Sequence, residues 1–68
     1  MRKSLEQQLG AFLRRKRGNA NYKQFARRLG VSESTCFRLE QGQQNATLRM
    51  IQHLMDRLRC SLWDIFED

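Results

Sequence analysis

Hydrogen-bonding side chains recur between Glu33 and Gln41 at a spacing that would gather them on one side of a helix. If the segment is helical with Cys36 and Leu39 facing inward, a rotation of about 100° per residue turns other side chains outward or to the flanks. These outward or flanking side chains are Glu33, Ser34, Phe37, Arg38 and Gln41.

The chemistry of this set fits the edges of base pairs. An Arg can donate two hydrogen bonds to O6 and N7 of guanine, Ser and Gln can donate or accept, and a Glu carboxylate can accept from the amino group of cytosine. Phe37 has two interpretations, which are contact with the methyl group of thymine and packing against the fourth predicted helix or a neighbouring loop. Packing is slightly favoured, but Phe37 is kept in the predicted base-contacting set.

The sequence lacks the residues that catalysis or metal binding would need. The chain has one histidine, His53, and no cluster of acidic residues. Its two cysteines, Cys36 and Cys60, are 24 residues apart, which favours buried reduced thiols over a disulfide or a zinc site. We therefore expect no enzymatic activity, no metal and no cofactor.

The segment from Phe25 to Gly42 predicts a helix-turn-helix that would position the outward set. Its first helix has Ala26 where the second helix would approach closely. Gly30 can adopt the left-handed conformation that ends this helix, and Ser32 can cap the next one. Two short helices at a sharp angle are expected.

Apolar periodicity predicts an all-α domain spanning residues 1–68, with helices at about 4–17, 22–29, 33–41, 48–58 and 62–67. Ser4 and Thr47 are plausible caps. The core stripes outside the helix-turn-helix are Leu5, Leu9, Phe12 and Leu13, then Leu48, Ile51, Leu54, Met55 and Leu58, and finally Leu62, Ile65 and Phe66.

Two helix N-termini are candidate phosphate sites on either side of the third helix. Backbone N–H groups at a helix N-terminus attract phosphate oxygens. Asn21 would cap the second helix, and the polar loop 43–45 precedes the fourth. The predicted phosphate contacts are Arg17, Asn21, Tyr22, Lys23, Gln43, Gln44, Asn45 and Arg49.

Glu40 lies close to the inward side of the third predicted helix, where a carboxylate needs a partner. Arg15 or Arg17 of the first helix could supply it. We assign the structural ion pair to Arg15 and Glu40, leaving Arg17 in the phosphate set, although the spacing leaves the choice between the two open.

Charge is unevenly distributed along the chain. The net charge is +6, but residues 1–28 carry nine basic side chains and one acidic one, whereas the remaining residues have a net charge of −2. This polarity favours one face that attracts a polyanion.

Without a long apolar run or a secretory h-region, we expect a cytoplasmic protein that makes no membrane contact. Trp63 and Phe66 lie on an apolar edge and are candidate dimer contacts.

Five motifs in order resemble the Cro/C1-type (XRE) helix-turn-helix family of phage repressors and bacterial regulators. They are L-G-x-x-L-R at Leu9–Arg14, F-A-x-x-L-G-V-S at Phe25–Ser32, R-L-E-x-G at Arg38–Gly42, T-L-x-x-I at Thr47–Ile51 and R-L-x-C-S-L-x-D-I-F at Arg57–Phe66.

This resemblance implies a five-helix, lambda-repressor-like bundle that inserts its third helix into the major groove of operator DNA. It implies a phosphate contact at Tyr22, base contacts at Glu33, Ser34 and Arg38, and an ion pair between Glu40 and an arginine of the first helix. Tyr22 and Glu33 stand where most members have Gln.

The resulting functional hypothesis is a sequence-specific, double-stranded DNA-binding regulator, a repressor that acts as a homodimer on a palindromic operator. One alternative is an antitoxin-like module that binds a small protein partner as well as DNA. The other is a nonspecific nucleic-acid or RNA-binding protein.

Overall fold

The computed structural model describes residues 3–43 and 45–66, which form helices and loops without a β-strand. The predicted all-α fold with five helices is confirmed over this part of the chain. The helices are α1 (Leu5–Arg17), α2 (Tyr22–Leu29), α3 (Glu33–Glu40), α4 (Leu48–Leu58) and α5 (Leu62–Ile65).

Side-chain caps explain where the four longer helices begin. In each, an oxygen of the residue before the helix accepts a hydrogen bond from a backbone N–H in the first turn, which satisfies an otherwise unpaired donor. The caps are Ser4, Asn21, Ser32 and Thr47. The predicted cap at Ser4 is confirmed, and α1 begins one residue later than the predicted start of the helix at residue 4.

The C-terminal ends of α3 and α5 also differ from the expected ones. Gln41 is the C-cap of α3 and not its last residue. α5 stops at Ile65 because Phe66 adopts an extended conformation, with φ −109° and ψ 119°. The expected end of this helix at residue 67 lies outside the described residues.

Every helix contributes to one buried core. Its apolar members are Leu9, Phe12, Leu13, Phe25, Ala26, Leu29, Cys36, Leu39, Ile51, Leu54, Leu58 and Ile65. Three residues predicted for the core, Leu5, Leu48 and Leu62, are instead exposed. They lie at the first residues of their helices, where the apolar side extends beyond the neighbouring helices.

Helices α1 and α3 approach each other closely at Gly10. A Cβ atom placed on this buried glycine would lie 2.6 Å from the backbone oxygen of Glu40 and 2.9 Å from that of Leu39. No larger residue fits without separating the two backbones. The Arg14 guanidinium also donates a hydrogen bond of 3.3 Å to the Glu40 backbone oxygen.

The turn between α2 and α3 is held by α4. Gly30 has a φ of 74°, the left-handed conformation that glycine adopts without strain. His53 Nε2 donates to the Leu29 oxygen at 2.8 Å, and Arg57 donates to the oxygens of Arg28 and Arg27 at 2.9 and 3.1 Å. These bonds satisfy carbonyl groups that a helix end leaves unpaired.

At the other end of the chain, Asp64 organises the start of α5. The Ser61 backbone N–H donates to Asp64 Oδ2 at 2.8 Å, and the Ser61 hydroxyl donates to the same oxygen at 3.1 Å. These hydrogen bonds lower the pKa of the Asp64 carboxyl group below its ordinary value.

None of the described helices is long and apolar enough to cross a membrane.

Candidate nucleic-acid interface

The outer side of α3 carries the whole predicted base-contacting set at the protein surface. Glu33, Ser34, Phe37, Arg38 and Gln41 are all exposed. Cys36, Leu39 and Glu40 occupy the buried side, which is the inward direction that the sequence pattern indicated. Four polar side chains and one aromatic ring are therefore available to a ligand along about two turns of helix.

Phe37 packs against α2. The prediction that it packs against α4 or a neighbouring loop is wrong. Its ring meets the Tyr22 ring edge-on, with centroids 5.5 Å apart and planes inclined at 70°. This is a favourable geometry for two aromatic quadrupoles. Phe37 nevertheless remains 45% exposed, so the contact covers only part of the ring.

Arg17 connects Tyr22 to the buried carboxylate of α3. Its guanidinium carbon lies 4.3 Å from the Tyr22 ring centroid, a cation–π arrangement. Its Nε donates to Glu40 Oε2 at 2.8 Å and to Oε1 at 3.1 Å. Hydrogen bonding to Glu40 raises the pKa of the Arg17 guanidinium above its ordinary value. α1, α2 and α3 therefore meet at a single continuous cluster.

The prediction that Arg15 pairs with Glu40 is wrong, because Arg17 makes that ion pair. Two residues along a helix differ by about 200° in direction, so only one of these arginines can face α3. Arg15 is exposed to solvent. Arg17 also donates to the Ala20 backbone oxygen at 3.0 Å, which ties the α1–α2 loop to the same cluster.

Glu40 is the one buried charged residue among the described residues, and its side chain is fully covered. The Cys36 thiol lies 4.0 Å from Glu40 Oε2 on the same side of α3. Burial, together with this carboxylate, raises the pKa of Cys36 to about 11, so the group is a neutral thiol at physiological pH. Cys36 and Cys60 are both free cysteines.

The predicted phosphate contacts fall into three groups. Lys23, Asn45 and Arg49 are exposed, and Arg49 lines a shallow hollow of about 360 Å³ with Gly30 and Val31 of the α2–α3 turn. Lys23 thus lies at the start of the helix-turn-helix, and Arg49 lies beside its turn. Gln44 lies outside the described residues.

The second group, Asn21 and Gln43, is exposed but partly engaged within the protein. Asn21 Oδ1 accepts from the Gln24 backbone N–H at 2.8 Å, leaving the Asn21 amide NH₂ as its donor. The Gln43 backbone N–H donates to the Arg38 oxygen at 3.0 Å, so this loop amide is not available to a phosphate and only the side chain could serve.

The third group comprises Tyr22 and Arg17, which are half-buried in the α1–α3 cluster. Both side chains make contacts within the protein, Tyr22 with Phe37 and Arg17 with Glu40.

Sequence reasoning missed the residues that support the helix-turn-helix from behind. Gly10, Arg14, His53 and Arg57 contact backbone atoms of α2 or α3, as described above. The available signals were the glycine in L-G-x-x-L-R and the basic residues beside the apolar stripe of α4.

An apolar groove lies at the junction of α1, α4 and α5. It has a volume of about 350 Å³, and its lining includes Leu5, Leu48, Leu62 and Phe66. Leu48 is 88% exposed. Of the two candidate dimer contacts, Trp63 is 81% exposed, whereas Phe66 is half-buried against the core.

Within residues 3–43 and 45–66, no group of three or more His, Cys, Asp or Glu side chains could hold a metal ion.

Comparison with known families gives this arrangement its class. A family model described as a helix-turn-helix domain matches residues 8–62. The matched residues include all of α2, α3 and α4 and most of α1. The chain belongs to this helix-turn-helix family, which is of the Cro/C1 (XRE) type, as the five motifs implied. The class is that of DNA-binding regulators. No match was found among curated proteins or solved structures.

Proposed function

We propose that the protein is a sequence-specific transcriptional regulator that inserts α3 into the major groove of double-stranded DNA in the cytoplasm. The observation that carries this proposal is the outer side of α3, whose exposed polar groups stand on a helix fixed from behind by a buried ion pair. A rigid helix of this kind can hold side chains against base edges with little loss of conformational freedom.

Arg38 is the proposed principal base reader. It is exposed near the end of α3 and makes no ion pair among the described residues. A guanidinium can donate two hydrogen bonds to guanine, which is the most frequent specific contact in the major groove. Ser34 and Gln41 would read adjacent bases, and Glu33 would accept from the amino group of cytosine.

Phosphate contacts would supply most of the affinity. We assign them to Lys23, Asn45 and Arg49, with the side chains of Asn21, Gln43 and Gln44 as further donors. Tyr22 keeps its role through its hydroxyl group. Arg17 would contact phosphate through the terminal nitrogens of its guanidinium, since its Nε is already bonded to Glu40. Each neutralised phosphate releases counterions, so the affinity should fall steeply as salt increases.

The apolar groove supports a homodimer on a palindromic operator. Leu48, which lines the groove, and Trp63, which follows the groove residue Leu62 in α5, are both more than four-fifths exposed. A two-fold axis would bury the same surface on both copies and would place two α3 helices on successive half-sites. Repression is the proposed outcome, because a dimer that covers a promoter needs no surface beyond those that bind DNA and the second copy.

The groove and the exposed Trp63 also support a second candidate, an antitoxin-like module that contacts a different small protein through its Trp63 side. The two candidates differ in what the groove binds, and both keep α3 on DNA. Co-purification of a stoichiometric small protein with the chain would favour the second.

Selection of bound duplexes from a random pool tests the proposal. We expect enrichment of a palindrome. Arg38→Ala should then weaken binding to the enriched duplex by about 1–3 kcal/mol and relax the preference at one base per half-site. Arg15→Ala is the matched control, since it removes the same charge from an exposed position away from α3.

Two results would contradict the proposal. One is an equal loss on all sequences after Arg38→Ala, which would make Arg38 a backbone contact. The other is competition by structured RNA at least as strong as that by mixed-sequence duplex, which would favour the nonspecific nucleic-acid alternative.

A further inference from the structure

Phe37 is the one large apolar side chain on the outer side of α3, and its contact with Tyr22 covers only part of the ring. Its ring is 45% exposed, whereas Phe12 and Phe25 are buried in the core. An exposed aromatic ring gains little from folding, since burial of its area would supply the favourable free energy. Its position among hydrogen-bonding side chains therefore suggests a partner outside the chain.

The ring is also held in place. Tyr22 contacts it edge-on, Arg17 lies over Tyr22, and the buried Glu40 carboxylate holds Arg17. Because each contact restricts the next side chain, the uncovered part of the Phe37 ring is presented in a fixed direction. A fixed apolar surface can distinguish ligands by shape, since little rotamer entropy is lost on binding.

Its direction places it beside the proposed base readers Ser34 and Arg38, which both lie to the same side of it around the helix. At about 100° per residue, Phe37 is one step before Arg38 and lies about 60° from the direction of Ser34. A ligand group that contacts this ring would therefore belong to the same base pair as the Arg38 contact or to its neighbour. The major-groove edge offers one large apolar group, the C5 methyl of thymine.

We propose that Phe37 is a specificity-determining residue that recognises the C5 methyl group of a pyrimidine in the preferred duplex. The inference rests on the proposed function, because it requires α3 to lie in the major groove. The recognised chemistry is a methyl group at pyrimidine C5, which thymine supplies in ordinary DNA and which 5-methylcytosine also carries. Uracil and cytosine lack it.

The test replaces each thymine of the selected duplex, one at a time, by deoxyuridine, which removes only this methyl group. Binding of the unmodified protein should weaken about fourfold at one position per half-site, the equivalent of one buried methyl group. Phe37→Ala should bind the thymine and uracil duplexes equally at that position. Any effect of uracil on the duplex itself is common to both proteins, so it cancels when their thymine-to-uracil binding ratios are compared.

Two control variants separate methyl recognition from a general loss of binding. Arg38→Ala should keep the fourfold thymine-to-uracil ratio while it loses affinity. Phe37→Leu should keep part of the ratio, because it retains an apolar side chain, and it replaces Phe37→Ala if the latter does not fold. Helical circular dichroism of each variant should match that of the unmodified chain.

The outcomes distinguish the two proposals. If a duplex is enriched but every uracil substitution is neutral, or Phe37→Ala keeps the ratio, the inference fails and the proposed function stands. A selected site without thymine near the Arg38 guanine overturns it equally. If no duplex is enriched, the proposed function fails and the inference fails with it.

Discussion

The contact between α1 and α3 and the apolar groove at α1, α4 and α5 are built in opposite ways. In the α1–α3 contact, Gly10 brings two backbones together and Arg17 neutralises Glu40, so charge and volume are matched within the chain. In the groove, Leu5 and Leu48 present large apolar surfaces to solvent.

The comparison separates what the fold requires from what it leaves available. Among the described residues, no buried side-chain nitrogen or oxygen lacks a hydrogen-bond partner. The α1–α3 contact should therefore tolerate little change. The groove should tolerate substitution in the isolated domain, because its exposed residues have few neighbours to disturb.

The largest expected effect is that of Arg17→Ala. Removing the guanidinium leaves the Glu40 carboxylate buried without its ion-pair partner, a change that is strongly destabilising. We expect the thermal unfolding midpoint to fall by at least about 10 °C. Arg15→Ala should leave it unchanged. Equal shifts for the two variants would mean that Glu40 is not held by Arg17 in solution.

Gly10→Ala should have the next largest effect, and its sign is diagnostic. At an exposed helical position this change would stabilise a protein by about 1 kcal/mol. At Gly10 the added methyl group would collide with the Glu40 backbone, so we expect a loss of about 1–3 kcal/mol in the free energy of unfolding. Urea titration measures this difference. A gain in stability would show that α1 and α3 are further apart than described.

The smallest expected effect is that of Leu48→Ser in the groove. Since Leu48 is 88% exposed, the free energy of unfolding of the monomer should change by less than about 0.5 kcal/mol. Self-association, measured by sedimentation, should weaken.

Leu54→Ala on the same helix is the buried comparison and should cost about 2–5 kcal/mol. If Leu48→Ser were as costly as Leu54→Ala, the contrast between the two regions would not hold.

Local patterns were sufficient to predict the helices and the outer side of α3. Ser32 and Gly30 mark the helix-turn-helix by capping and backbone conformation, which act between near neighbours. That Arg38 and Gln41 share a surface follows from helix periodicity alone. The class of protein followed from motifs in which such local signals recur in order.

Relations between helices were less accessible. The choice between Arg15 and Arg17 depends on the rotation of α1 against α3, which is a property of tertiary packing. Periodicity placed Leu5 and Leu48 on apolar stripes, but it does not reveal whether another helix covers the end of a stripe. The close approach at Gly10 likewise depends on tertiary packing.

The hydrogen bonds from α4 to the end of α2 affect the order in which the domain comes apart. His53 and Arg57 donate to the last three carbonyl groups of α2, so α4 reinforces the C-cap that Gly30 provides. Loss of α4 would expose those carbonyl groups and loosen the turn, so we expect α2 and α4 to open together as one cooperative unit. Amide hydrogen exchange in α2 would then report on the integrity of a helix nearly 30 residues further along the chain.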